Sequence, residues 1–297
     1  TYSIKVVRES ASTNAHLSDL KVDGNTVEGF NKDTFEYTLD NVSNNKDSIN
    51  IEATKEDSKA VLSGAGTKTL AVGNNKFEVK VTAEDGTTTK TYIVNIKRNS
   101  NNNKLDTLTV TSEPSGTLDK EFDKDTLEYT YTVGPDAPKI IVDATASSGA
   151  TIEGTGEYDP KTTEKIEITV TSEDGEEKVY TVNVVRNKST NTDLSNLEVD
   201  DYTLTPDFTS STKSYNLTVD SDVEMVNIVA SKSDELQTIS GDTGIQILST
   251  GNNKFTITVT AEDEVTASDY IVNIYRKSSN ADLSNLTDID KKLAYIY

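Results

Sequence analysis

The 297-residue chain has no cysteine and no tryptophan, and it contains only one histidine. Without cysteine it can form neither a disulfide framework nor a thiolate metal site. Nucleophilic catalysis of the Ser-His-Asp or Cys-His type needs an imidazole beside the nucleophile, and a zinc site usually needs several. The only imidazole belongs to His16, in a polar linker where we expect it to be solvated. A glycosidase carboxylate pair stays open among 50 acidic residues, although no pair stands out and no tryptophan offers a sugar platform. We predict no enzyme activity, no catalytic residue and no cofactor-binding residue.

Positive charge and long apolar runs are also scarce. The chain has 29 lysines and arginines against 50 aspartates and glutamates, a formal net charge of −21. Such an acidic surface repels nucleic acids and anionic membranes, so neither is expected as a partner. No apolar run approaches the ~20 residues that cross a bilayer, which predicts no membrane span in this segment.

A strand–turn–strand pattern is present instead, and it occurs three times. In the first copy, Phe77, Val79 and Val81 alternate with polar residues, which places one sheet face in a core and the other in solvent. The dipeptide Asp85-Gly86 then supplies a turn in which glycine tolerates positive φ. The third copy has Glu264 in place of this glycine, so a longer and different reversal is expected there.

The spacing of the copies indicates domains rather than short repeats. The tyrosine of each return strand recurs every 88 to 90 residues, at Tyr2, Tyr92, Tyr180 and Tyr270. Solenoid repeats are about 20 to 50 residues long, whereas a period near 88 can enclose its own core. About seven short strands, with turns every 8 to 12 residues, are typical of a β-sandwich. The predicted segments are 1–16 (last strand of a preceding domain and a linker), 17–98, 105–186 and 194–276 (three β-sandwiches), and 283–297 (the start of a further, incomplete domain).

The first domain illustrates the predicted strands. We expect them at 17–22, around 35–39 and 49–53, more weakly at 60–62 and 69–72, and in the closing hairpin. Tyr37, Tyr129 and Tyr215 alternate with polar neighbours, which favours core positions with the hydroxyl at the rim over sugar-stacking sites. The linkers at 99–104, 187–193 and 277–282 are short and polar. Neighbouring domains should therefore be roughly in line but able to bend, reaching on the order of 100 Å in total.

The repeated strings resemble a known family. Leu-Ser-x-Leu at the start of a copy, Tyr-x-Leu in its second strand and Val-Thr-Ala-Glu-Asp-Gly followed by Tyr-x-Val-x-Ile-x-Arg at its end are similar to the bacterial cadherin-like β-sandwich domain. The resemblance runs from Leu17 to Arg276, with Glu264 as a departure. It implies an all-β fold of tandem, Ig/cadherin-like, seven-stranded Greek-key β-sandwiches. It also implies an extracellular, non-catalytic module of surface and secreted proteins, often of clostridia and related Gram-positive bacteria.

The expected function is structural. We predict a segment of a bacterial cell-surface stalk, fibre or filament that acts as a spacer or adhesion scaffold. Its partners would be the neighbouring repeats, with head-to-tail self-assembly or addition of residues 1–8 to another chain's sheet edge as further options. The alternative is a module of a secreted or cell-surface protein that binds a carbohydrate or a host protein.

Two kinds of hidden chemistry stay open. Asp123-x-Asp125 and Asp220-x-Asp222-x-Glu224 could present oxygens to calcium, although solvated acidic loops are favoured. Glu84-Asp85 and Glu173-Asp174 are better explained as hairpin turn residues. A Lys–Asn isopeptide bond is suggested by three asparagines at one strand position, which Lys5 occupies in the leading strand. They lie opposite the apolar face, so partly exposed amides are favoured: Asn95, Asn183 and Asn273.

Overall fold

The computed structural model describes residues 2–6 and 9–279, and over these residues the protein is all-β, which confirms the predicted fold class. The described residues contain no helix that is long and apolar enough to cross a membrane. The chain divides into two compact units, the first comprising 1–133 and 137–185 and the second 134–136 and 186–297. Among the described residues, the first unit contains two separate hydrophobic cores and the second contains one.

The first sandwich has two four-stranded sheets, with orders β2-β1-β4-β6 and β3-β8-β7-β5. The strand predicted at 60–62 is found one residue later, at Val61–Ser63, but the strand predicted at 69–72 is wrong. A strand runs at 66–69 instead, because Leu70 and Ala71 enter a turn in which the Ala71 nitrogen donates to Asn75 Oδ1 at 2.8 Å. The strands are β1 Leu17–Val22, β2 Asn25–Thr26, β3 Glu36–Thr38, β4 Ser48–Lys55, β5 Val61–Ser63, β6 Gly66–Thr69, β7 Gly73–Thr82 and β8 Thr89–Arg98.

The second sandwich, whose strands lie in the first unit except for Arg186, has sheets of order β14-β12-β9 and β10-β11-β16-β15-β13. Its strands are β9 Leu105–Ser112, β10 Thr117–Leu118, β11 Glu128–Val133, β12 Ile140–Ala146, β13 Thr151–Glu153, β14 Gly156–Tyr158, β15 Lys165–Thr171 and β16 Glu177–Arg186. Like the first, it has a short additional strand beyond the predicted seven.

The third sandwich belongs to the second unit and has seven strands in sheets of order β17-β19-β21 and β18-β23-β22-β20. In this sandwich β18 pairs with β23 in parallel, whereas β22 and β23 form the antiparallel hairpin that the sequence predicts. The strands are β17 Leu194–Val199, β18 Ser214–Val219, β19 Met225–Lys232, β20 Thr238–Gly241, β21 Gly244–Ile247, β22 Gly251–Thr260 and β23 Ala267–Arg276.

The alternating residues fill the cores as predicted. Val79, Val81 and Val94 are completely buried, while the polar residues between them face outward. The tyrosines at the second predicted strand also point inward, and each hydroxyl donates to a loop carbonyl six residues earlier. This confirms their assignment as core residues with the hydroxyl at the rim: Tyr37, Tyr129 and Tyr215.

The third hairpin reverses in the same way as the other two, so the expectation of a longer turn at Glu264 is wrong. Glu264 has a φ of +62°, close to the +73° of Gly86. Its nitrogen donates to Ala261 O at 3.0 Å, as the Gly86 nitrogen does to Ala83 O. The preceding Asp263 carboxylate accepts hydrogen bonds from the backbone nitrogens of Val265 and Thr266, which offsets the strain of a left-handed residue.

Residues 2–6, the described part of the leading segment, form no strand. Residues 2–6 have no sheet partner, and Tyr2, Ile4 and Val6 are exposed. That they form the last strand of a preceding domain stays a prediction. The expected start of a further domain at 283–297, including Leu293 to Tyr297, lies outside the described residues.

Candidate functional site

The linkers are the most regular feature outside the cores. The three that precede the sandwiches each contain the motif Ser-x-Asn-x-x-Leu, at 12–17, 100–105 and 189–194. In the third, Ser189 Oγ accepts from the Asn191 nitrogen at 3.2 Å, and Asn191 Oδ1 accepts from the Asp193 nitrogen at 2.8 Å. The same two bonds occur in the other linkers. Because polar side chains bind the backbone two residues on, each linker adopts a defined series of turns.

A buried tyrosine fixes the end of each linker to the sandwich that follows it. The Tyr270 hydroxyl accepts a hydrogen bond from the Leu194 nitrogen at 2.9 Å and donates to Ser210 O at 2.6 Å. Tyr92 and Tyr180 make the corresponding bonds to the first leucine of their own sandwiches. Burial raises the pKa of both Tyr92 and Tyr180, so each hydroxyl keeps its proton at neutral pH.

A reciprocal pair of hydrogen bonds fixes the start of each linker. The Ser189 nitrogen donates to Glu262 Oε2 at 2.8 Å, and the Asp263 nitrogen donates back to Ser189 O at 3.2 Å. We call this arrangement of one linker serine and one hairpin Glu-Asp pair the linker lock. Its members are Ser12 with Glu84 and Asp85, Ser100 with Glu173 and Asp174, and Ser189 with Glu262 and Asp263.

These acidic pairs therefore have two roles, in the hairpin turn as predicted and in binding the linker. Asp85 does stabilise its turn, accepting from the Thr87 and Thr88 nitrogens at 2.9 and 2.8 Å. Glu84, however, binds the linker instead of the turn. The sequence carries a signal for this, because Glu262 and Asp263 persist in the third copy although the following glycine has been replaced.

In the first unit, the lock also joins the first and second sandwiches. Lys97, near the end of β8, forms an ion pair with Glu173 on the second sandwich. Ser43 Oγ donates to Asp174 Oδ2 at 3.0 Å, and Asn99 Nδ2 donates to Glu173 O at 3.2 Å. The hydrogen bond from Lys97, followed by that from the Ser100 nitrogen, holds the pKa of Glu173 below its usual value, so the carboxylate stays ionised.

In the second unit, Arg186 supplies the cation. Its guanidinium binds both carboxylate oxygens of Glu262, with Nη2 3.1 Å from Oε2, and it also donates to Pro135 O at 2.9 Å. Both side chains are nearly buried, at 12% and 11% exposure. The mutual hydrogen bonds raise the pKa of Arg186 and lower that of Glu262. A bidentate pair of this kind fixes orientation as well as charge.

The matching arginines of the other two sandwiches do something different. Arg98 Nη1 donates to Leu70 O and Arg276 Nη1 donates to Leu248 O, each at 2.8 Å, so each of these arginines braces loops of its own sandwich. The first lock takes its cation from within the first sandwich, where Lys59 Nζ lies 2.9 Å from Glu84 Oε1. All three locks thus use a serine and a glutamate, but each takes its cation from a different position.

The candidate calcium ligands do not converge. Asp125 forms an ion pair with Lys104, whose hydrogen bond lowers the pKa of Asp125. Asp220 pairs with Lys277 at 2.7 Å, and Glu224 lies 4.0 Å from an Arg276 nitrogen. Over residues 2–6 and 9–279, no group of three or more histidine or acidic side chains is arranged to hold a metal ion.

The asparagines considered for isopeptide bonds are partly exposed and bind neighbouring strands. Asn95 Nδ2 donates to Glu36 Oε1 at 2.8 Å, and Asn183 Nδ2 donates to Glu128 Oε1 at 3.0 Å. Asn273 donates to Asn216 Oδ1 at 3.2 Å. Their position away from the core matches the predicted exposed face and is unlike the buried site that such a crosslink requires.

His16 is not the solvated linker side chain that we expected. Only 20% of its side chain is exposed, and its Nε2 lies 2.7 Å from Lys90 Nζ. Its Nδ1 lies 3.1 Å from Lys32 O. The difference follows from the locked linker, which holds its side chains against the sandwich.

Among the grooves of the described residues, two in the first unit lie close to the features above. One, of about 270 Å³, is open at the end of the first sandwich and has an apolar floor that includes Val27, Leu39 and Ile96. The other, of about 480 Å³, lies beside the lock between the first and second sandwiches and is lined by polar residues such as Asn74 and Ser147.

Comparison with solved structures finds cadherin ectodomains among the similar folds. Human desmocollin-1 is 10% identical, with 84% of this chain and 61% of that chain covered and a TM-score of 0.26. The protocadherin GammaB4 extracellular domain is 9% identical, with 90% and 50% covered and a TM-score of 0.28. Drosophila N-cadherin EC1-3 is 9% identical, with 82% and 98% covered and a TM-score of 0.22. The chain thus spans less than two thirds of the length of the first two.

A comparison with curated proteins found no match. The family model of the cadherin-like beta sandwich domain matches three times in tandem, at residues 17–99, 105–187 and 194–277. These matches cover most of the chain and include all three linker-locked sandwiches. The chain belongs to the cadherin-like β-sandwich domain family.

Proposed function

We propose that the chain is a non-catalytic structural segment of an extracellular, bacterial cell-surface protein, in which the tandem sandwiches act as a spacer and adhesion scaffold. Cadherin-like repeat domains are generally structural or adhesion modules and are typically extracellular. The acidic composition suits an extended, soluble segment whose neighbours on the chain do not attract one another.

The linker lock is the observation that supports this role. A spacer sets a distance only when the joints between its domains are not free. Fixing the backbone of a linker residue costs about 1–2 kcal/mol in conformational entropy, so an ordered linker needs specific compensation. The serine, asparagine and tyrosine bonds supply it at each of the three linkers, and an ion pair adds to it. In this proposal, the locks restrict the movement of the joints.

Small-angle scattering of the whole chain tests the proposal. Three sandwiches in line should give a maximum dimension on the order of 100 Å. Replacing both glutamates, Glu173→Gln and Glu262→Gln, should broaden the distance distribution while each sandwich stays folded. Glu264→Gln is the matched control, since that side chain is 85% exposed and its ion pair with Lys188, at 3.9 Å, is a weak surface pair. A compact wild-type particle, or a double variant that scatters like wild type, would contradict a spacer built on these locks.

A binding role is the second candidate, and the polar groove beside the first-to-second sandwich junction favours it. Its amide, hydroxyl and carboxylate groups are of the kind that bind sugar hydroxyls. A glycan array with the wild-type chain and with Asn74→Ala separates the two candidates. Saturable binding that the substitution abolishes would establish the binding role, and absence of binding would leave the spacer.

A further inference from the structure

The outer face of one sheet in the third sandwich is apolar where the other two sandwiches are polar. It is formed by β19 and the edge strand β21, which pair in antiparallel register with Met225 opposite Ile247 and Asn227 opposite Ile245. Four apolar residues of this face form the edge patch, and their exposures are large: Met225 55%, Val229 42%, Ile245 70% and Ile247 80%.

At the positions equivalent to the edge patch, the other two sandwiches have polar or charged residues. In the first sandwich they are occupied, in the same order, by Ser48, Glu52, Thr67 and Thr69. In the second sandwich they are occupied by Lys139, Asp143, Glu157 and Asp159. Polar and charged side chains on an edge strand prevent it from pairing with another sheet. The third sandwich lacks this protection at all four positions.

The backbone groups of β21 that do not bond to β19 belong to Ile245 and Ile247. The Leu248 nitrogen donates to Glu224 O, which makes Leu248 and Glu224 a hydrogen-bonded pair. Because such pairs alternate along an antiparallel ladder, Gln246 and Gly244 also face β19. The N–H and C=O groups of Ile245 and Ile247 therefore point away from the sheet.

We propose that the edge patch is a homotypic interface, through which β21 pairs with β21 of a second copy of this chain. A two-fold axis through Gln246 places Ile245 of one copy opposite Ile247 of the other, twice. Both are hydrogen-bonded pairs, so four backbone hydrogen bonds form, and the four isoleucines make one continuous apolar face. An isologous contact of this kind uses the same surface on both chains.

Charge also favours a second copy as the occupant. The chain carries a net charge of −21, so it can approach itself closely only through an uncharged surface. In the proposed pair, Asp242 would lie opposite Thr250, and no two carboxylates on the edge strands would face each other. In the second sandwich the same pairing would oppose Glu157 and Asp159, which is repulsive.

The interface is small, which determines its strength. Four residues of edge strand bury well under the roughly 800 Å² per partner of a stable complex. We therefore expect a dissociation constant on the order of 0.1–1 mM for free chains. Pairing becomes extensive where many chains are held side by side, because their effective concentration is then high. This lateral contact is independent of the spacer role.

Sedimentation equilibrium of the whole chain, at concentrations up to about 1 mM, tests the proposal. Wild type should form dimers, and dimerisation should strengthen about threefold between low and high salt as the negative charges are screened. The double substitution Ile245→Glu with Ile247→Asp installs the residues of the second sandwich and should abolish it. Val265→Thr, at an exposed turn away from the edge, should leave it unchanged. A monomeric wild type would overturn the proposal, even if another apolar strand were found to bind the patch.

A crosslinking variant keeps the test independent of the acidic substitutions. The chain has no cysteine, so Gln246→Cys introduces a single thiol beside the proposed two-fold axis. The two thiols would meet at a pair whose Cα atoms are about 4.5 Å apart, within the range for a disulfide. Lys68→Cys, at the matched position of β6, is the control. Gln246→Cys should form covalent dimers at least about tenfold faster under mild oxidation, and equal rates would refute the interface.

Discussion

The Tyr270 hydroxyl accepts a hydrogen bond from the backbone nitrogen of Leu194 at 2.9 Å. This bond joins β23, the last strand of the third sandwich, to β17, the first strand of the same sandwich. Tyr270→Phe would leave that buried N–H without its partner. We expect the third sandwich to lose about 1–2 kcal/mol of unfolding free energy. Native-state hydrogen exchange of β17 and β23 amides measures this loss.

A control for this substitution lies on the same strand. Tyr275→Phe changes a side chain that is 47% exposed and should have little effect on exchange. If the two substitutions destabilised the sandwich equally, the hydroxyl bond to Leu194 would not be the cause.

The bidentate pair of Arg186 with Glu262 predicts a local effect on the linker. Glu262→Gln removes the charge that holds the guanidinium and weakens the acceptor for the Ser189 nitrogen. The exchange rate of the Ser189 amide should rise about tenfold, while core amides keep their protection. Glu264→Gln, two residues further along the turn, should leave the Ser189 rate unchanged. An unaltered rate in Glu262→Gln would show that the lock does not order the linker.

The left-handed Glu264 predicts a stabilising substitution. Replacing it by glycine, which the first and second hairpins use, removes the strain of a positive φ in a residue with a side chain. We expect Glu264→Gly to stabilise the third sandwich by about 0.5–1 kcal/mol, measured by hydrogen exchange or by the unfolding midpoint.

The reverse substitution is available in the first sandwich. No atom lies within 4 Å of a Cβ added at Gly86, so Gly86→Glu tests the backbone alone without a clash. It should destabilise the first sandwich by a similar amount, about 1 kcal/mol. The prediction fails if both changes move stability in the same direction.

The turn carboxylate of Asp85 predicts a pH dependence. Hydrogen bonds from the Thr88 hydroxyl and the Thr88 and Thr87 nitrogens lower the pKa of Asp85 from 3.8 to about 2. Because the folded-state pKa is lower than the unfolded value, this group stabilises the fold above about pH 4. The contribution is lost as the pH falls through the folded-state value of about 2.

Two measurements check this dependence. An NMR titration of the Asp85 side-chain carbon should give a midpoint near the lowered value, and a midpoint near 3.8 would contradict the hydrogen-bonded turn. Asp85→Asn should destabilise the first sandwich at neutral pH. The difference in unfolding free energy between this variant and wild type should vanish as the pH falls to about 2.

Alternation predicted the fold because it reports burial directly. Tyr92, Val94 and Ile96 point into the core as their period of two requires, and the hairpins follow from the turn signals. Strand ends were less predictable. β6 ends at Thr69 because the Ala71 nitrogen bonds to the Asn75 side chain instead of to a neighbouring strand. The hydrophobic pattern does not reveal this side-chain bond.

The lock was not predicted, since its members are polar, lie 73 residues apart in the case of Ser189 and Glu262, and leave no trace in hydrophobic periodicity. Their recurrence in every copy was the available signal. The edge patch was missed for a different reason. Ile245 and Ile247 alternate like any buried pair, so the pattern predicts that they share a face but not that the face is exposed.

Because each linker is bonded to the sandwich after it, the natural unit of lengthening begins at a linker serine rather than at the first strand. A gene duplication with breakpoints just before Ser12 and just before Ser100 would insert a serine, its glutamate and its tyrosine together. A fragment that starts at Leu17 would keep Glu84 but lose Ser12, so its first sandwich would lack the linker lock. Fragments for expression should therefore begin just before a linker serine.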